Sequence, residues 1–261
     1  MYLSIITVAY NDLIGIKKTY QSVVNFSKKY TGKLEYIIVD GGSTDGTKQF
    51  LEGIVENLEM PSITCISESD EGIYDAMNKG INLTSVSSDY ILFLNSSDVF
   101  LDSAGTDLSR IQLSAVANVF SLLSSDINSN KVRVRKLTHT SEIANRPAYP
   151  HQSTFISTSY HKRNLYSKKY KILADYDFFC NLYVKKESIQ CFDIDISNFM
   201  QGGISNNKDG QAVWITELKS IQLEYFNKYN RLLIFTTVLK GIIYKLPFSK
   251  QIEYALRLLI R

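Results

Sequence analysis

The stretch Glu35-Tyr36-Ile37-Ile38-Val39-Asp40-Gly41-Gly42-Ser43-Thr44-Asp45-Gly46 decides the fold. The run up to Val39 is aromatic and β-branched and reads as a buried strand. The segment Asp40 to Gly46 makes a sharp turn, and Phe50, Leu51, Ile54, Val55 and Leu58 then recur at helical spacing. The flanks repeat this strand–turn–helix unit. Upstream, Leu3 to Val8 is a first strand, and Asn11 or Asp12 can cap a helix that buries Ile16, Tyr20, Val23 and Val24. Downstream come a third strand, Ile63 to Ser67, a helix around Ala76 to Asn82, and a fourth strand, Tyr90 to Leu94, ending in Asn95-Ser96-Ser97-Asp98. Such alternation predicts an α/β fold with a mostly parallel sheet flanked by helices. Ligands in open α/β sheets bind outside the carboxyl ends of the strands. Asp40, Asp70 and Asp98 are therefore expected on one rim.

Beyond residue 100 the pattern is mixed, with strand-like Ala115 to Leu123, alternating Val132 and Val134, and a strand at Ser153 to Ser157. No low-complexity linker or repeat divides the chain, so we expect one domain over 1–227, with a nucleotide-binding half (1–100), a smaller mixed acceptor half (101–227) and a C-terminal helical segment (228–261). In the last segment Lys250, Glu253, Arg257 and Arg261 form one helical stripe, opposite Ile252, Ala255, Leu256, Leu259 and Ile260. The 261 residues carry a net charge of +3, too weak a bias for a nucleic-acid partner. Charge is uneven, however: from Lys228 onward seven basic residues face one acid, Glu253. Cys65, Cys180 and Cys191 are odd in number and widely spaced, which fits buried thiols in a reducing cytoplasm. The first residues read as a strand rather than a signal peptide. Leu232 to Leu239, closed by Lys240, falls well short of the ~20 apolar residues that span a bilayer.

The turn at Asp40 can serve two ends. Its carboxylate could meet a base or ribose while the glycines let backbone approach closely, or Ser43, Thr44 or Asp45 could simply cap the next helix. A dinucleotide fold would place GxGxxG after the first strand, where Ala9-Tyr10-Asn11-Asp12 stands instead.

Taken together, Ser4-Ile5-Ile6-Thr7-Val8-Ala9-Tyr10-Asn11, Ile38 to Thr47, and Ser67-Glu68-Ser69-Asp70-Glu71-Gly72-Ile73-Tyr74-Asp75-Ala76-Met77-Asn78-Lys79-Gly80 resemble the inverting family-two glycosyltransferases of GT-A fold, especially bacterial enzymes of O-antigen and other surface polysaccharides. The likeness is strong over residues 1 to about 100 and weaker at His151-Gln152, Asp175-Tyr176-Asp177 and Gly202-Gly203-Ile204-Ser205. It implies a Rossmann-like GT-A domain whose nucleotide sugar lies against Thr7, Ala9, Tyr10, Asp40, Gly41, Asp70, Tyr74, Asp75, Asn95, Ser96, Ser97 and His151. Within that set, Tyr10 would cover the base, Asp40 would accept its ring N–H, and Asp70, Tyr74 and Asp75 would meet ribose or sugar hydroxyls. Asn95-Ser96-Ser97-Asp98 stands where the family carries an aspartate-rich metal motif, so Mn²⁺ or Mg²⁺ would fall to Asp98, directly or through water. Asp175 would take the proton of the acceptor hydroxyl, with Asp177 organising the site or capping its helix.

These resemblances imply an enzyme that moves a hexose from a UDP-sugar to a sugar on an undecaprenyl-diphosphate carrier, forming a β bond on the cytoplasmic face of the inner membrane. The basic tail suits a peripheral contact with that membrane surface. Two rivals remain: a nucleotidyltransferase, which would release diphosphate, and a non-catalytic sugar-nucleotide-binding protein.

Overall fold

The computed structural model describes residues 1–56, 60, 62–126, 132–135, 140–201 and 208–243. The first half alternates as expected: β1 (Tyr2–Ala9), α1 (Leu13–Lys29), β2 (Lys33–Asp40), α2 (Thr47–Glu56), β3 (Ile63–Ser67), α3 (Ile73–Leu83) and β4 (Tyr90–Phe93). Then follow β5 (Val99–Phe100), α4 (Ala104–Leu108), β6 (Ala117–Asp126), β7 (Val132–Arg135), β8 (Thr154–Ser157), α5 (Thr158–Arg163), α6 (Ala174–Val184), β9 (Ile189–Gln201), α7 (Lys208–Phe226) and α8 (Arg231–Ile243).

The strands form one sheet in the order β3-β2-β1-β4-β8-β6-β9-β5, with β7 beside β6. The ladders β1–β2, β1–β4 and β2–β3 are parallel. Past β4 the directions mix: β4–β8, β6–β8, β6–β7 and β5–β9 are antiparallel, and β6–β9 is parallel. The expected mostly parallel pattern thus holds for the first four strands, and beyond them β6–β9 alone among the described ladders is parallel. Parallel pairing requires a crossover, usually a helix, and the strand–helix–strand repeat stops at β4. Register shifts at Phe120–Ser121–Leu122 bend the long β6–β9 pair, curling the sheet.

Strand alternation divides the core between two faces. Leu3, Ile5, Tyr36 and Ile38 pack with Ile16, Tyr20 and Val23 of α1, whereas Ile6, Val8, Ile37 and Val39 pack with Met77 and Ile81 of α3 and with α6. Gly80 lets α3 lie close: a Cβ there would sit 2.5 Å from Ile6 Cγ2. Asp12 caps α1, its Oδ1 accepting the Gly15 N–H at 3.0 Å. Of the cysteines, Cys180 is buried and Cys65 half-buried, but Cys191 is exposed on β9, against the expectation of three buried thiols.

On α8, Leu233 and Ile234 pack inward, and Gln211 Nε2 of α7 donates to Thr237 O at 2.6 Å. Leu232 and Phe235 stand outward, 71% and 63% exposed. No described helix is long and apolar enough to cross a membrane. Leu58, the Gly202-Gly203-Ile204-Ser205 loop and the stripe Lys250, Glu253, Arg257, Arg261 lie outside the described residues.

Candidate active site

The carboxyl ends of β1, β2, β3 and β4 are locked together by backbone bonds. Gly41 N donates to Ala9 O at 2.9 Å, Glu68 N to Asp40 O at 3.0 Å, and Ser96 N to Val8 O at 3.0 Å. On this rim Tyr10 is 66% exposed, which removes core packing as its role. Gly41 sits between Tyr10 and the loop after β3: a Cβ there would lie 2.4 Å from Asp70 Oδ2 and 3.3 Å from Tyr10 Cδ2. Asp70 Oδ1 accepts the Gly72 N–H at 2.9 Å, which turns Oδ2 toward Gly41. Tyr10, Gly41 and Asp70 therefore form a cradle with an aromatic face, close backbone and a carboxylate oxygen.

Asp40 stands behind that cradle. It is fully buried and accepts the Ser43 N–H at 3.0 Å, the Ser43 hydroxyl, and the Ser67 hydroxyl at 2.6 Å. It thereby fixes the turn that carries Gly41. Ala9, its register partner, is likewise buried. Thr7 departs from expectation: it lies in the core, its hydroxyl donating to Leu94 O at 2.7 Å beside Tyr36 Oη. An odd position on β1 faces the α1 side of the sheet.

The segment 95–98 does not fit a divalent cation through Asp98. That carboxyl is 3% exposed, and its Oδ1 accepts the Met200 N–H of β9 at 3.1 Å. Burial pushes it up to about 7, against the pull of His151 and the Met200 N–H. Thr19 Oγ1 donates to the Asp98 carbonyl at 2.7 Å and so holds the turn. Ser97, at φ +75°, and Ser96 donate their hydroxyls to Asp12 Oδ2 at 2.9 and 2.7 Å. Among the described residues no group of three or more His, Cys, Asp or Glu side chains could hold a metal ion. Asp98 is thus buried and bonded within the protein, whereas on the rim Asp70 stands forward with Asp40 behind it.

Asn95 turns instead to a second cluster. Its Nδ2 lies 3.1 Å from His151 Nε2, and His151 Nδ1 lies 2.9 Å from Asp175 Oδ2. His151 occupies a short 3-10 turn, His151–Ser153, just before β8, while Asp175 is in the first turn of α6. Asp175 Oδ1 also accepts the Tyr176 N–H at 2.8 Å and stands 3.1 Å from Tyr74 Oη. The pair is partly open, with side chains 15% and 19% exposed. One helix end is thereby tied to the tip of β4.

A residue that sequence reasoning missed sets this helix end. Glu217 of α7 is buried and accepts three successive backbone N–H groups, those of Lys171, Ile172 and Leu173, at 2.6, 3.0 and 2.9 Å. These amides immediately precede α6, so the bonds hold the chain entering the helix. Nothing local marks Glu217, because its partners are more than forty residues away.

Three further predicted residues are engaged by protein partners. Tyr74 is buried, donates its hydroxyl to Ile172 O at 2.7 Å and lies beside Asp175. Asp75 is held below the usual carboxylate range chiefly by its hydrogen bond with Lys168, pairs with Lys79 at 3.6 Å, and accepts the Glu71 N–H, which leaves it braced in the first turn of α3. Asp177 does not join Asp175: two residues turn a helix by about 200°, and Asp177 accepts the Tyr225 hydroxyl of α7 at 3.1 Å. Burial raises its carboxyl above the ordinary value.

The arrangement can hold a planar ring and hydroxyls at one end of the rim and move a proton at the other. Comparisons with known proteins place the chain among glycosyltransferases. An uncharacterised glycosyltransferase of Mycobacterium tuberculosis is 29% identical over 228 residues, covering 81% of this chain and 80% of the relative. A PGL/p-HBAD biosynthesis glycosyltransferase of Mycobacterium bovis is 27% identical over 185 residues, covering 64% of this chain and 62% of the relative. In fold the chain is similar to S. aureus TarS 1-349, solved in complex with UDP-GlcNAc, at TM-score 0.65 and 15% identity over 96% of this chain and 78% of that one. The model of glycosyl transferase family 2 matches residues 4–186, and the chain, a glycosyltransferase, belongs to that family.

Proposed function

We propose that this enzyme is an inverting glycosyltransferase that moves a hexose from a UDP-sugar to a sugar on an undecaprenyl-diphosphate carrier, making a β bond in O-antigen or another surface polysaccharide. The observation that carries the reading is the juxtaposition on one sheet edge of the Tyr10–Gly41–Asp70 cradle with the Asn95–His151–Asp175 cluster. The similar fold of S. aureus TarS, solved with UDP-GlcNAc, and the M. bovis relative named for PGL/p-HBAD biosynthesis support it.

In this reading the nucleotide end of the donor stacks on Tyr10, with hydroxyls at Asp70 and the Asp40 turn holding the cradle in shape. The acceptor hydroxyl attacks the anomeric carbon from the face opposite the diphosphate. Its proton leaves to the His151–Asp175 pair, and the C–O bond electrons go to the departing UDP. A single displacement inverts the anomeric centre and needs one proton acceptor. No step is assigned to a cation at Asp98. Residues 1–100 supply the donor half and 101–227 the acceptor half.

The proposal places the protein peripherally on the cytoplasmic face of the inner membrane. Leu232 and Phe235 stand outward on α8, and the sequence from Lys228 onward is basic, a combination suited to an anionic lipid surface. The deciding experiment offers radiolabelled nucleotide sugars and a synthetic GlcNAc-diphosphate-lipid to the purified protein, with and without Mn²⁺. Transfer with β stereochemistry and UDP release is expected, and Asp175→Asn should retain UDP affinity while losing transfer. Release of diphosphate would replace this reading by nucleotidyl transfer, and UDP binding without product from any donor would replace it by a binding protein.

A further inference from the structure

Resting on the transfer reading above, we infer that the group that takes the acceptor's proton is His151 Nε2, and that Asp175 is the positioning residue that orients it. The inference starts from how each lone pair is used. Asp175 accepts from His151 Nδ1 through Oδ2 and from the Tyr176 N–H through Oδ1, with Tyr74 Oη also 3.1 Å from Oδ1. Both oxygens of Asp175 are thus already engaged by protein donors. The same contact places the imidazole proton on Nδ1 and leaves the lone pair on Nε2.

That lone pair faces the tip of β4, where its hydrogen-bond partner among the described residues is the Asn95 amide, at 3.1 Å. Asn95 is poorly anchored: its Oδ1 is buried and has no hydrogen-bond partner among the described residues. Rotating the amide away therefore breaks no bond on the oxygen side, and an incoming hydroxyl can take its place at Nε2. The Asn95 amide is a placeholder that keeps Nε2 solvated by protein until the acceptor arrives. Asp98 is the other acid whose charge His151 senses, but it is buried beneath the turn and bonded to Met200.

The step balances as follows. The acceptor O–H bond breaks and its proton passes to Nε2. The acceptor oxygen forms a bond to the anomeric carbon as the bond from that carbon to the UDP oxygen breaks, with the electron pair leaving on UDP. The resulting imidazolium is stabilised by the Asp175 carboxylate 2.9 Å away, the logic by which an acid orients an imidazole base in hydrolytic triads. His151 would be the catalytic residue, and Asp175 would act through it.

Two measurements test this. In the first, His151→Ala is expected to lower kcat by about a thousandfold, within the span of general-base contributions. UDP affinity should stay within about threefold, which shows a folded donor site, and free imidazole should restore at least about tenfold of the lost rate. A kcat within about tenfold of wild type, or a loss that imidazole does not relieve, overturns the inference. The second needs no turnover. The sequence has 3 histidines, so long-range ¹H–¹⁵N spectra of wild type and His151→Ala identify the His151 ring. The expected tautomer carries its proton on Nδ1 and moves toward Nε2 in Asp175→Asn. A wild-type ring protonated on Nε2 alone overturns the assignment. Failure of the wild-type protein to transfer from any nucleotide sugar would refute the underlying function, while the ring spectra would still decide the dyad.

Discussion

Replacing Asp98 by Asn should stabilise the protein more at pH 8 than at pH 5, by an amount that follows from burial. The carboxyl ordinarily titrates at 3.8 and is pushed up to about 7 in the folded chain, first by desolvation. A group whose folded pKa lies above its unfolded one contributes stability that is complete below the unfolded value and lost as pH rises through the folded one. For these two values the loss is roughly 2 kcal/mol at pH 5 and roughly 4 kcal/mol at pH 8. Asn cannot ionise, yet its oxygen can still accept the Met200 N–H. The difference between its effects at the two pH values, roughly 2 to 3 kcal/mol, cancels any packing cost of the amide itself.

Urea unfolding of both proteins at pH 5 and pH 8 reads this double difference. The comparison must be between variant and wild type because His161 tilts the other way. Buried against Phe93, Tyr166 and Phe178, with Nε2 unpartnered among the described residues, its imidazole is lowered from 6.5 to about 4 by desolvation. Its contribution is present above 6.5 and lost as pH falls toward 4, which offsets the Asp98 slope in the same window. An Asp98→Asn effect that is equal at the two pH values, or larger at pH 5, would refute the burial argument. A change in the cation dependence of transfer in this variant would show that Asp98 ligates metal after all.

Gly41→Ala should displace Asp70 or Tyr10, since its Cβ would meet Asp70 Oδ2 at 2.4 Å. UDP affinity, measured by calorimetry, is expected to fall at least about tenfold, or about 1.4 kcal/mol. Glu217→Ala leaves the N–H groups of Lys171, Ile172 and Leu173 unpaired. Denaturant unfolding should show a loss of about 3 kcal/mol or more, transfer should fall as Asp175 loses its anchor, and Glu217→Gln should lie between. Leu232→Ser with Phe235→Ser removes the outward apolar pair of α8 and should release the protein from anionic vesicles in a sedimentation assay, because each buried side chain is worth about 1.5–3 kcal/mol. Unchanged sedimentation would remove α8 from the membrane contact.

Much of the fold over residues 1–100 was legible because its signals are local. Apolar periodicity marks β1 to β4 and α1 to α3 within a residue or so at most ends, and the turn chemistry of Asp40-Gly41-Gly42-Ser43 marks the rim. β9 was missed although Phe192, Ile194 and Ile196 alternate as a strand should, because Asp193 and Asp195 between them resemble a polar loop. The mixed directions beyond β4 were not legible, since pairing partners such as β6 and β9 lie some seventy residues apart.

From sequence alone, the chain's own pattern determined which residues stand at strand ends and which acids were available there. Only the tertiary structure decided which of those side chains face outward. Asp98 and Thr7 turn into the core, Tyr74 and Asp75 are taken up by protein partners, and Asp175 is joined to a histidine 24 residues earlier and through it to Asn95. The physical reason is that periodicity specifies an element and its buried face, whereas the use of each lone pair depends on which distant groups the packing brings within hydrogen-bond reach.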